Sequence, residues 1–382
     1  RDIFKNLGLD ISDIHQNPLE VLKTMPYLNK QTIKENLPNR IVSGNVQKLH
    51  RVVSSGSTGE QGTFYLNKDA LSWKYAAEIL TWLWANFQFG EKHFQTGMAF
   101  PRGFLKKAKD AVLRTKYAPA FNLSDNDLEK YVVKLVKGSY RFLLGYASSI
   151  YLIARKAREM RADSIRFDSI ITWGDNLFSH YRNLIESQFK SKVFDTYGAN
   201  EGLIIAGQCE KGNYHIIVPH VFVEVLRNGK QVSPGEIGEV YVTRLDNNPM
   251  PLIRYQIGDI AKVGRQASCP CGRGFEYLTS IEGRNTDIIH TKNGHNLIVH
   301  YFTRIFEYYP EIEMFQVIQD DYDIITIKIV PSSSFHDSLL NKIREILLKD
   351  CHDDIDIRFQ IVNNIPPSPS GKRRFVISSL PF

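Results

Sequence analysis

The chain has 382 residues, 43% of them hydrophobic and 23% charged, and carries a net charge of +7 with four cysteines. It is long enough for a large globular domain and a smaller one, and four cysteines are too few for a disulfide scaffold. The most apolar region, Val132–Ala157, is interrupted by Lys134, Lys137, Arg141 and Arg155, which excludes the run of about 18 apolar residues that a membrane helix needs.

In chain order, Asp2 to Leu37 reads as helical pieces punctuated at Asn17-Pro18 and Met25-Pro26. Arg1-Asp2-Ile3 opens directly into a segment of mixed charge, unlike a signal peptide, and because the first residue is not Met, earlier residues are expected to be missing. A turn rich in Gly, Ser and Thr, "SSGSTG", follows between two short β-forming runs, Arg51–Ser54 and Thr63–Leu66. No lysine follows it until Lys68, so it is not the phosphate loop of P-loop NTPases. Its glycines could still converge backbone N–H groups on an anion, while a plain hairpin turn is the simpler reading.

Asn67 is placed to cap a helix running to about Phe87, with Leu71, Ala76, Ile79, Leu80 and Leu83 on its buried face. Helices over Asp125–Val136, Ser148–Met160 and His180–Phe189 alternate with strands at Ser169–Trp173 and Lys192–Asp195. This alternation predicts a layered α/β core. From Tyr214 the pattern changes to short strands, His215–Val218, Val221–Leu226, Gly238–Arg244 and Leu252–Tyr255, an antiparallel β subdomain. Beyond Asn285 a compact α+β unit is expected: a hairpin of Phe315–Gln319 and Asp323–Val330, an amphipathic helix Asp337–Lys349, and a strand Ile355–Val362. The last loop, "IPPSPSGKRRF", is rich in proline and ends in cations.

Five short motifs stand in order. They are Ser54-Ser55-Gly56-Ser57-Thr58-Gly59, Tyr197-Gly198-Ala-Asn-Glu201, Arg254-Tyr-Gln-Ile-Gly-Asp259, Gly283-Arg284-Asn-Thr-Asp287 and Ser370-Gly-Lys372. Each alone is weak, but together their order and spacing resemble the signature blocks of the adenylate-forming superfamily. The resemblance covers essentially the whole chain and is nearest to the phenylacetate–coenzyme A ligase-like branch with its capsule-associated relatives. The phrase "LKTMPYLNKQTI", the "WGDNL" turn and the cysteine set favour that branch.

The resemblance implies an α/β fold of two domains: a large ATP- and carboxylate-binding domain over residues 1–284 and a small mobile α+β lid over 285–382. It implies a ligase that forms an acyl-adenylate from ATP and a small carboxylate, then transfers the acyl group to a thiol, coenzyme A first among them. An amine or a carrier-protein thiol is the alternative acceptor. By the same resemblance the Ser54–Gly59 turn holds the β- and γ-phosphates, Tyr197 and Gly198 lie against adenine, and Gly174 and Asp175 match the family's adenine turn loosely. Asp259 accepts from the ribose hydroxyls, Arg284 meets ribose or phosphate oxygens, and Glu201 coordinates magnesium. Lys372 would stabilise charge in the adenylation transition state. The segment 285–287 would be the pivot about which the lid turns, exchanging Lys372 for the Gly294 region. The chain departs from the family pattern where Glu60 and Gln61 replace the usual lysine and proline. A homodimer and a cytoplasmic setting are further expectations, with no membrane and no nucleic-acid partner.

Cys209 and His215 are five residues apart, and Cys269 and Cys271 flank a single proline in "SCPCGRG". Three thiolates and an imidazole suit tetrahedral zinc, and a complete set leaves no position open for substrate, so the expected zinc is structural. The plain alternative is a buried cysteine and a strand histidine. Together with the basic pI of 9.0, the Cys/His set also allows a zinc-stabilised nucleic-acid-binding protein, a reading that leaves the five motifs unexplained.

Overall fold

A computed structural model of the chain describes every residue except 1–10, 38–40, 55–61, 98–102, 121–122, 267, 285–287, 291–295, 307–308, 310, 352–354, 367–373 and 381–382. Helices begin where short polar side chains satisfy the first amides. Helices α1 (Ile11–Gln16) and α2 (Pro18–Thr24) lead to α3 (Lys30–Asn36), where Asn29 accepts from the Thr32 amide. Strands β1 (His50–Ser54) and β2 (Gly62–Leu66) form an antiparallel hairpin with Ser54 opposite Gly62, so the glycine-rich turn does join two strands. Asn67 then caps α4 (Lys68–Trp84) through the Ala70 amide.

The α/β part follows as β3 (His93–Gly97), α5 (Phe104–Val112), β4 (Thr115–Pro119), α6 (Asp125–Lys137), β5 (Phe142–Tyr146), α7 (Ala147–Glu159), β6 (Ser169–Trp173), α8 (Ser179–Phe189) and β7 (Val193–Ala199). Ser124 and Asp127 exchange bonds in a capping box at the start of α6. The strands that continue are β8 (Leu203–Gln208), β9 (Tyr214–Ile216), β10 (Val221–Arg227), β11 (Lys230–Gln231), β12 (Ile237–Arg244), β13 (Tyr255–Val263) and β14 (Tyr277–Arg284). Among the described residues all of β3 to β14 belong to one twelve-stranded sheet, ordered β11-β10-β12-β13-β14-β9-β8-β7-β6-β5-β3-β4. The layered core and the antiparallel subdomain are therefore two halves of one sheet. They meet at β7, which pairs parallel with β6 and antiparallel with β8.

From residue 288 onward the chain builds β15 (Ile288–His290) with β16 (Asn296–Ile298), then α9 (Val299–Phe306). It continues through β17 (Ile312–Asp321), β18 (Ile324–Pro331), α10 (Ser338–Cys351), β19 (Asp356–Ile361) and β20 (Val376–Ser378). Its four-stranded sheet has the order β19-β18-β17-β20, and a separate cluster including Phe302, Val317, Ile327, Ile343 and Val376 fills its interior. Phe178, just before α8, joins that cluster, its ring edge-on to Phe375 at 5.0 Å.

Two expectations are corrected. The buried face of α4 is Ala70, Ala77 and Thr81, whereas Ala76 and Leu83 are exposed. Small residues won this face because the helix lies close on β8: a Cβ on Gly207 would come within 2.5 Å of Thr81. The expected strand Leu252–Tyr255 does not form, and β13 begins only at Tyr255. Pro251 cannot donate to a ladder, and Arg254 takes a left-handed conformation, φ +48°, that breaks the extended run.

That turn lets Arg254 tie the N-terminal helices to the sheet. Its guanidinium makes paired bonds of 2.9 and 3.0 Å to Glu224 and donates to the Lys23 and Met25 carbonyls, and the Tyr27 ring lies 4.5 Å away. Both side chains are at least nine-tenths buried. Removing one member strands the other charge away from water. Arg254→Met should therefore lower the unfolding free energy by about 3–5 kcal/mol, while Arg254→Met with Glu224→Leu should recover most of the loss. Urea melts of the three proteins would show this, and a single variant as stable as the parent would refute it.

Candidate functional site

The parallel strands β3, β5, β6 and β7 end along one edge, where open α/β sheets bind ligands, above all where strand direction changes. The turn after β6 carries Gly174 and Asp175. Gly174 has φ +83°, and a Cβ there would fall 2.4 Å from the Tyr146 ring, so a side chain is excluded. Asp175 accepts from the amides of Ala147 at 2.7 Å and Ser148 at 3.1 Å, holding the start of α7. Its carboxylate complements the positive end of that helix.

Tyr197 lies near the end of β7, and its hydroxyl donates to Asp259 Oδ2 at 2.7 Å. Asp259 sits on β13 after Gly258 and pairs in register with Arg284 of β14. The second, third and fourth motifs are thus brought together, although they are far apart in sequence. Gly198, next to Tyr197, begins the irregular step into β8.

Glu201, in the tight turn between β7 and β8, is only 5% exposed. Tyr255 donates to its Oε1 at 2.9 Å, Lys30 Nζ lies 3.9 Å from the same oxygen, and Arg244 reaches its main-chain oxygen. Sequence reasoning missed Lys30 and gave Tyr255 no role, though both lie inside quoted phrases. The hairpin that carries the glycine-rich turn is fixed at the same place. Phe64 of β2 packs edge-on to Tyr255, and Asn247 binds the Tyr65 carbonyl. Ser54 ends β1, while Ser55, Gly56, Ser57, Thr58, Gly59 and Glu60 lie outside the described residues. So do Lys372, Gly294 and the expected pivot 285–287, and Arg284 is described in its backbone alone.

Beneath Tyr197, Asp195 is buried in β7, where it accepts from Thr172 at 2.6 Å and Tyr214 at 2.7 Å. Gln208 Oε1 accepts from both the Asp195 amide and Arg182. Burial raises the Asp195 carboxyl above its ordinary 3.8, despite the bonds from Thr172 and Tyr214.

A second cluster lies at the far side of β8. Cys209 follows β8, His215 is in β9, and Cys269 and Cys271 lie between β13 and β14. Their four donor atoms fall within 4.8 Å of one another, with Cys209 Sγ 3.9 Å from Cys269 Sγ and Cys271 Sγ 3.1 Å from His215 Nε2. A tetrahedron with metal–sulfur bonds of about 2.3 Å would set its sulfurs about 3.8 Å apart. His215 Nδ1 lies 3.2 Å from the Phe275 carbonyl, which fixes the proton there and leaves Nε2 as the ligand atom. The Lys211 amide points at Cys209, the Arg273 amide at Cys271 and the Asn213 side chain at Cys269. Burial lowers the His215 pKa, favouring the neutral imidazole a metal requires, and pushes Cys209 up to about 11. At Cys271 burial acts upward too, but the Arg273 amide and guanidinium help bring the thiol below its usual value.

The Asp195 carboxyl makes a stability prediction. Because its folded pKa is raised, the native state resists its ionisation; stability is fullest below about 4 and falls as pH rises through the folded pKa. Asp195→Asn keeps a neutral acceptor for Thr172 and Tyr214 and should flatten that fall. Denaturant melts from pH 4 to 8 would read it, and parallel pH profiles for parent and variant would contradict it.

Comparison with known proteins bears on the fold. A family model described as the CapK C-terminal domain matches residues 289–379. Protein CapK of Staphylococcus aureus is 25% identical over 94% of this chain and 80% of its own length. Phenylacetate-coenzyme A ligase of Thermus thermophilus is 24% identical over 51% of this chain and 50% of its own. Among solved structures, 2-hydroxyisobutyryl-CoA ligase in its postadenylation state superposes with TM-score 0.75 at 18% identity, covering 99% of this chain and 85% of that one. The same ligase in its thioesterification state gives 0.60. The chain is thus similar to CapK over nearly its whole length and to phenylacetate–coenzyme A ligase over half of it, and it shares the fold of an acyl-CoA ligase.

Proposed function

We propose that the chain is an ATP-dependent carboxylate ligase. A carboxylate oxygen attacks the α-phosphorus of ATP, the bond to the β-phosphate oxygen breaks, and pyrophosphate leaves an acyl-adenylate. A thiolate, that of coenzyme A in the leading reading, then attacks the acyl carbon and expels AMP. The observation that carries the proposal is the pairing of Tyr197 with Asp259 and of Tyr255 with Glu201 where the sheet changes from parallel to antiparallel. Two acidic side chains are held there by phenolic donors, one for a ribose and one beside the place of the phosphates.

In this reading Tyr197 orients Asp259 so that its carboxylate accepts from the ribose hydroxyls, with Tyr197 and Gly198 bounding the adenine. Gly174 and Asp175 shape the adenine turn from below, Asp175 by fixing the start of α7. Arg284, opposite Asp259, supplies donors to ribose or phosphate oxygens. Glu201 offers a hard oxygen donor in a nearly water-free turn, which suits magnesium; that ion would screen the phosphate charge when the carboxylate approaches. The turn from Ser54 through Ser55, Gly56, Ser57, Thr58 and Gly59 would hold the β- and γ-phosphates, and Lys372 the charge of the transition state. Residues 1–284 and 285–382 would form the two domains. The better match to the postadenylation than to the thioesterification state of the 2-hydroxyisobutyryl-CoA ligase supports an arrangement belonging to the first half-reaction.

ATP–pyrophosphate exchange across a panel of carboxylic acids tests the reading. At least one acid should support exchange, and Lys372→Ala should depress it by about a hundredfold or more while thiolysis of a supplied acyl-adenylate survives. Unchanged exchange in that variant would remove Lys372 from the mechanism; no exchange with any acid would count against the ligase itself.

The Cys209, His215, Cys269 and Cys271 cluster would hold zinc as a structural ion, since all four tetrahedral positions are filled by protein. About one zinc per chain is expected by elemental analysis, and Cys271→Ser should lower the melting temperature more than it slows exchange. Protein purified without chelators and free of metal, yet fully stable, would end the assignment.

A further inference from the structure

Helix α5, Phe104–Val112, is amphipathic in sequence, yet none of its residues is buried. Helical spacing sets Phe104, Ala108 and Val112 in one row with Leu105 and Ala111 beside it, while Lys106, Lys107 and Lys109 fall outside that stripe. Phe104 is 85% exposed, Leu105 82% and Val112 79%, whereas the next most exposed large apolar side chain among the described residues, Leu19, reaches 55%. The helix is followed by β4, the outermost strand of the large sheet, so this stripe stands at the rim of the fold.

The sequence around this helix is also where much of the positive charge lies. Between Gly103 and Arg141 there are nine Lys and Arg against four Asp and Glu, a surplus of five out of the seven carried by the whole chain. Lys106, Lys107, Lys109, Arg114, Lys116, Lys130, Lys134 and Lys137 are all exposed. An exposed apolar row with Lys106, Lys107 and Lys109 beside it on the same helix matches an interface where the Phe104 ring and Leu105 enter the acyl boundary and ammonium groups stay among anionic headgroups. No described helix is long and apolar enough to cross a membrane, and a surface dock needs none.

We propose that α5 and its basic rim dock the protein on an anionic lipid surface. The proposal is independent of the ligase reading. An acidic protein or a second copy of the chain would have to cover the same stripe, and the test separates them.

Vesicles of phosphatidylcholine alone and of phosphatidylcholine mixed with phosphatidylglycerol are sedimented with the full chain at low and raised salt. The protein should pellet with the anionic vesicles only, and less so as salt rises. Phe104→Ser with Leu105→Ser, and separately Lys106→Glu with Lys107→Glu, should each bind at least about tenfold more weakly with an unchanged melting temperature. Failure of the parent protein to pellet, or pelleting of both variants like the parent, would overturn the proposal. So would light scattering that finds a dimer dissolved by the Phe104/Leu105 change, or capture of an acidic carrier protein in place of vesicles.

Discussion

Strand β7, Val193–Ala199, has a parallel neighbour on one side and an antiparallel neighbour on the other. Everything at the candidate site depends on that arrangement. A parallel sheet delivers strand ends and loops to one edge, while an antiparallel meander can return β13 and β14 to the same edge from far along the chain. Only a strand shared by both patterns lets Tyr197 of the first half reach Asp259 of the second across a 2.7 Å bond. Asp195, two residues earlier, fastens the same strand from inside through Thr172 and Tyr214. One strand thus carries a buried carboxyl and the phenol that bonds Asp259, on residues of matching side-chain direction.

Burying charge so near a site needs partners, and each buried ion here has them. Arg254 spans Glu224 and two carbonyls of the N-terminal helices. Arg244 bonds Asp246, which also contacts His220, and reaches the carbonyls of Ala70 and Glu201. Such groups contribute little net stability over apolar residues of the same shape, but they penalise wrong packing heavily. Arg244, bonded to the Glu201 carbonyl, helps fix the turn that carries that carboxylate.

Much of the fold was legible because periodicity and caps act locally. Ser169–Trp173 was read as a strand with the bounds it has, the Asn67 cap is where it was expected, and the hairpin of the small unit forms with its turn at Tyr322-Asp323, a residue later than read. What failed depended on distant neighbours. The α4 face turns on Gly207, more than a hundred residues on, and the left-handed turn at Arg254 that ends the expected strand is held by Leu28, whose backbone pairs with the Arg254 and Gln256 positions. That β3 and β4 extend the sheet was unreadable, since His93–Gly97 and Thr115–Pro119 mix polar and apolar residues without clear alternation. At the site, motif order named Tyr197, Glu201 and Asp259, but Lys30 could not be found: its only signal is proximity to Glu201, made by a packed N-terminal segment.

The cysteine cluster gives the antiparallel half something its strands lack. Strand β9 has three residues and pairs with β14 through only Tyr277 and Leu278, a short seam in the middle of the large sheet. Backbone bonding over so few residues would fray if it stood alone. Cys209, His215, Cys269 and Cys271 sit across this seam, just after β8, on β9 and on the turn before β14, and the Trp84 ring of α4 lies against His215 and under Arg273. A tetrahedral ion there would clamp the weakest pairing between the two halves, and Gln208, just before Cys209, carries that constraint straight to the Asp195 amide. The cluster therefore belongs to the same mechanical problem as β7: holding two sheet patterns in one register so that their side chains can meet.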